Sequence, residues 1–147
     1  MLKKLRTLFA QPESDLPDDE AALHLAAAAL LVEIARSDHA LDGIELERMR
    51  DVLARDWGVE DEDLDDLLTV AKSASETSVS LHEQIDLINR SFSPDRKVAL
   101  VRGLWEIACA DGRIHHHEEA LIRRLADLLY VSHTDFIRTK HQVLGTD

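Results

Sequence analysis

The sequence holds little of what staples, kinks or punctuates a chain. Its one cysteine, Cys109, leaves no intrachain disulfide and no zinc site built from several thiolates. Three prolines and five glycines in 147 residues argue against a collagen-like repeat, a β-sandwich or a barrel. No apolar run reaches about 18 residues, so no segment can span a bilayer as a helix. The start, Met1–Ala10, lacks the long apolar region and cleavage site of a secretory signal. The cytoplasm is therefore the expected location. Catalytic signatures are missing as well: there is no G-x-S-x-G, no P-loop and no G-x-G-x-x-G. An enzyme is not expected.

What is present is helical material. Ala, Leu, Glu, Asp and Arg dominate, with 45% apolar and 31% charged residues. A chain of this length buries roughly 70% of its unfolded surface, enough for a core without staples. The net charge is −12 and uneven. Residues 1–10 carry Lys3, Lys4 and Arg6; residues 11–93 carry six basic and 21 acidic residues; residues 94–140 carry eight basic and seven acidic. An acidic surface repels phosphate backbones, so no nucleic-acid partner is expected. It attracts cations or a basic protein partner, and it also simply confers solubility.

Residues 1–19 read as a basic N-terminal helix and linker. Leu2, Leu5, Leu8 and Phe9 share one side of the helix, which suits contact with an anionic membrane surface or with the protein itself. Pro12 and Pro17 mark the linker. Residues 20–147 read as one compact all-α domain. A first helix over about 19–37 carries Leu23, Leu30, Leu31 and Ile34 on an apolar stripe around the alanine run 26–29. A helix over about 44–57 turns Met49, Val52, Leu53 and Trp57 inward and ends at Gly58. An acidic helix over 60–73 buries Leu64, Leu67, Leu68 and Ala71, with a loop expected over 74–79. Ser80 and Glu83 start a helix holding Leu81, Ile85, Leu87 and Ile88. Ser93-Pro94 starts another, bearing Val98, Val101, Leu104, Trp105 and Ile107 to about Ala110. A helix over 115–130 turns Ile122, Leu125, Leu128 and Leu129 inward. Ser132 and Asp135 cap a last one, with Phe136, Ile137 and Val143, which Gly145 stops. Nothing reads as a strand.

An offset of 73 residues aligns two segments without a gap. Glu33-Ile34-Ala35 matches Glu106-Ile107-Ala108; Asp38, Leu41 and Glu45 match Asp111, Ile114 and Glu118; Met49, Val52 and Trp57 match Ile122, Leu125 and Tyr130. Two helix–turn–helix units packed about a pseudo-twofold axis are expected. Asp38 and Asp111 stand where helices end, against the negative end of the dipole, at a cost of a few tenths to about 1 kcal/mol. Turn amides can compensate, or a cation can. Asp38, Asp42 and Glu45, with their equivalents Asp111, His115 and Glu118, all carry oxygen or imidazole donors. If the two turns face each other, a Ca²⁺, Mg²⁺, Mn²⁺ or Zn²⁺ ion can bridge them.

The first loop is not an EF-hand loop: Ala40 and Met49 stand where ligands are required. His115-His116-His117 diverge at a helix start and read as solvent-exposed, as His39, His82 and His133 do. Cys109 reads as a small core residue. Arg123, Arg124, Arg138 and Lys140 form a basic group that, like the acidic face, can dock a protein without metal.

These residues resemble a known family. Over about 20–143 the chain is similar to the TerB-like, tellurite-resistance family of bacterial helical domains. The resemblance is carried by Glu33-Ile34-Ala35-Arg36-Ser37-Asp38 with Glu45, and by the continuous stretch 105–114, Trp105 to Ile114. Residues 118–129, then Asp135-Phe136-Ile137 and Lys140, complete it. In the first copy His39 replaces the usual Gly. The resemblance implies an all-α fold of seven to nine helices and a stress-associated role without known catalysis. It further implies metal-ion sensing or chelation, or scaffolding of membrane-linked stress complexes; a related domain occurs in membrane-anchored DnaJ-like co-chaperones.

Overall fold

The computed structural model of the chain describes residues 20–36, 43–76, 81–110 and 112–145. Among these it forms seven helices and no strand: α1 (Glu20–Arg36), α2 (Gly43–Trp57), α3 (Asp61–Glu76), α4 (Leu81–Ser91), α5 (Pro94–Ala108), α6 (His116–Leu128) and α7 (His133–Leu144). The basic segment and linker at 1–19, and the ion-ligand candidates Asp38, Asp42 and Asp111, lie outside the described residues. No described helix is long and apolar enough to cross a membrane.

The α1 helix is apolar nearly all round, and such a helix must be buried. It is the centre of the fold, packing against α2, α3, α4, α5 and α6. Ala26, Ala27, Ala28 and Ala29 keep it thin enough for several neighbours, while Leu30, Leu31, Val32 and Ile34 are sealed from solvent. The α5 helix is the second pillar. It packs on α1, α2, α6 and α7, with Leu100, Val101, Leu104, Trp105 and Ile107 fully buried. Gly103 permits a close approach of α5 to α1 and α2: a Cβ there would stand 3.0 Å from Val52 Cγ1 and 3.6 Å from Leu31 Cδ2.

The helix ends follow their local chemistry. Ser93 Oγ accepts the Arg96 amide at 3.3 Å, with Pro94 in the first turn. Ser132 Oγ accepts the Asp135 amide at 3.1 Å. The α3 helix runs three residues further than expected, to Glu76, because 74–76 contains no glycine or proline to stop it.

Three expectations need correction. Leu128 is 44% exposed rather than inside, while Leu129 is fully buried. Cys109 lies just past α5 as its C-cap, half-buried, and is not on the helix face. Trp57 and Tyr130 are not equivalent. Trp57 is buried and stacked on Phe92 at 5.0 Å, whereas Tyr130 is 81% exposed with φ +62. Of the other pairs in the offset, Ile34 and Ile107, Met49 and Ile122, and Val52 and Leu125 are all buried. The register slips at the helix ends: the left-handed residue is Gly58 after α2 and Tyr130 after α6.

Candidate functional site

The corner between α5 and α6 carries the second acidic turn. The Cys109 amide donates to the Trp105 carbonyl at 2.9 Å and the Gly112 amide to the Cys109 carbonyl at 2.8 Å. The first bond closes the last turn of α5, and the second ties Gly112 back to its end. Ile114, packed against the core, anchors the next stretch, and His115 takes the extended backbone of an N-cap. The His115 amide donates to Glu118 Oε1 at 3.4 Å, so a side chain in the first turn reaches back over the helix start.

Glu118 is the notable group. At 2% exposure it is the one buried acidic or basic residue among those described. A carboxylate taken out of water needs compensation from hydrogen bonds or opposite charge. The helix N-terminus supplies part of it. Its neighbour Glu119 points elsewhere, to Lys140 Nζ at 3.0 Å, as the roughly 100° step between adjacent helical residues requires.

The three histidines do not all diverge. The rings of His115 and His117 stack at 5.9 Å with an interplanar angle of 21°, while His116 is exposed. His133 is exposed and stacks on Phe136 at 5.7 Å.

Of the six ligand candidates, Glu45, His115 and Glu118 are described. Glu45 is half-buried in the first turn of α2. Among the described residues no three His, Cys, Asp or Glu side chains are gathered as a metal site requires, so these three alone do not make one. The donor chemistry of the full set, carboxylates with one imidazole, suits a hard or borderline divalent ion.

The charged groups elsewhere are largely engaged in structure. Arg50 pairs with Asp65, and with Asp61 at 3.5 Å, tying α2 to α3. Arg138 pairs with Asp135, and Lys140 with Glu119, which removes two cations from the basic group and leaves Arg123 and Arg124 exposed. Sequence reading missed the most elaborate cluster. Arg55 binds Asp56 at 2.9 Å through Nε and Glu106 at 3.1 Å through Nη1, joining α2 to α5. The hydrogen bonds that it donates to Asp56 and then to Glu106 hold the Arg55 guanidinium above its ordinary pKa. The glutamate of the repeated E-I-A motif is thus a structural counter-ion in its second copy.

A crystal structure of a protein of unknown function from Porphyromonas gingivalis W83 shares this fold. Its TM-score is 0.65 at 18% identity, covering 85% of this chain and 95% of that one. No curated protein matches the chain. The profile of the tellurite resistance protein TerB matches residues 24–141, and the chain belongs to the TerB family.

Proposed function

We propose that the chain is a non-catalytic, stress-associated TerB module that takes a divalent metal ion at its acidic turns. Asp111, His115 and Glu118 would hold the ion at the corner before α6, with Asp38, Asp42 and Glu45 contributing from the turn before α2. The observation that carries this reading is the buried carboxylate of Glu118 beside an acidic turn. A cation there would add to the compensation that the helix start and the protein partners of Glu118 already give this carboxylate. The ion would supply charge neutralisation and a fixed corner geometry. The chain's own residues would set how strongly α6 is fastened to α5.

The test is thermal unfolding with Ca²⁺, Mg²⁺, Mn²⁺ and Zn²⁺, on the wild type and on Asp111→Asn with Glu118→Gln. Glutamine keeps the acceptor oxygen for the His115 amide and removes the charge. An ion at one hundred times its Kd adds about 2.7 kcal/mol, or about 5–10 °C for a domain of this size. The reading predicts that shift for the wild type and its loss in the double variant. No shift with any of the four ions removes the metal.

A metal-independent adaptor is the second reading. It is favoured by the exposed acidic face of α3, where Asp61, Glu62 and Asp65 stand in solvent. A partner captured in chelator and lost on reversing these charges would establish it. Membrane contact through residues 1–10 is a separate proposal, decided by liposome flotation with and without that segment.

A further inference from the structure

Tyr130 is the one described non-glycine residue with positive φ, at +62. Gly58 does the same work after α2 at φ +68 without a side chain. The left-handed region is sterically costly for a tyrosine. The turn itself does not need one. It is closed by the Val131 amide on the Ala126 carbonyl at 2.9 Å and the Tyr130 amide on the Asp127 carbonyl at 3.1 Å, bonds a glycine makes equally well. Nor does the core gain, because the side chain is 81% exposed, with Lys97 Nζ 5.5 Å from the ring. Leu128 beside it is 44% exposed. A strained, solvent-facing aromatic next to an exposed leucine has the composition of an interface anchor rather than of a fold element.

We propose that this corner is a twofold self-association surface, whose occupant is a second copy of the chain. Charge selects the partner. Of the 29 acidic residues, 21 lie in 11–93, whereas 94–140 carries eight basic and seven acidic residues. The C-terminal half is where two copies of a −12 chain can meet without opposing like charge. A twofold contact also needs both halves of each interaction on one patch. This patch has them. Tyr130 offers a ring face and Lys97 a cation. Arg124 and Asp127, both exposed and one turn apart, offer opposite charges that cross-pair when the patch faces itself. Leu128 supplies the apolar centre.

The experiment is sedimentation velocity of the full chain at rising concentration, with thermal unfolding of each variant alongside. The wild type should pass from monomer to dimer. Tyr130→Gly should weaken the dimer about tenfold or more while raising the midpoint of unfolding, because the strain is gone. Asp127→Arg should weaken the dimer, and Arg124→Asp with Asp127→Arg should restore it by exchanging the two charges. A wild type that stays monomeric at the highest concentration overturns the proposal. So does a dimer that is indifferent to Tyr130→Gly and Asp127→Arg.

Discussion

Replacing Arg55 by alanine tests the packing of α2 on α5. The Arg55 side chain is 51% exposed, but those of its partners Asp56 and Glu106 are only 10% and 11% exposed. Alanine therefore strands two nearly buried carboxylates, with Arg102 Nη2 the nearest substitute at 3.9 Å from Asp56. Breaking a buried pair costs about 3–5 kcal/mol, whereas an exposed pair is worth about 0–1. With water reaching half of the arginine, the expected loss is about 2 kcal/mol. That corresponds to about 4–8 °C in the unfolding midpoint of a domain this size. The sign of the pH dependence follows from linkage. The folded-state pKa of Arg55 is raised, so its stabilisation is fully present below the unfolded value and is lost only in strong alkali. The gap between wild type and variant should thus not shrink as the pH is raised from neutral to about pH 9. The assay is urea unfolding followed by circular dichroism, with Glu106→Gln completing a double-mutant cycle. A loss below about 0.5 kcal/mol, or a coupling energy of zero, would refute the reasoning.

Gly103→Leu should be among the most damaging single changes, costing about 3 kcal/mol or more by driving α5 away from Val52 and Leu31. Gly103→Ala should be far milder, because gained helix propensity of about 1 kcal/mol opposes the 3.0 Å contact; equilibrium unfolding of both variants checks the order. Leu30→Ala empties a fully buried site in the central helix and should cost about 2–5 kcal/mol. If hydrogen exchange in α3, α4 and α5 is unchanged in that variant, α1 is not the hub described.

The sequence was most legible where local chemistry and pattern agree. Ser93-Pro94, Ser132 and the glycines at 58 and 145 mark helix ends that the fold respects, because caps act within a few residues. The apolar spacing likewise placed Leu30, Leu31, Ile34, Met49, Val52 and Ile122 in the core. Reading failed where the outcome depends on distant partners or on one residue of register. Arg55 and Glu106 are 51 residues apart, and no spacing rule connects them. The Trp57–Tyr130 match ignored where each helix unwinds: Trp57 and Leu129 are the last residues before the left-handed position, and both are buried. Leu128, one residue earlier on α6, is left in solvent. At the candidate site, the place of Glu118 in the first turn of α6 was legible. Its burial depends on how α6 packs against α5 and α1, which composition does not reveal.

The most direct test of the metal reading is an anomalous difference map from crystals grown with Mn²⁺. The account predicts a peak at the corner before α6, about 2.0–2.6 Å from oxygens of Asp111 and Glu118 or from an imidazole nitrogen of His115. A map that is empty there, with Glu118 satisfied wholly by protein groups, would contradict it.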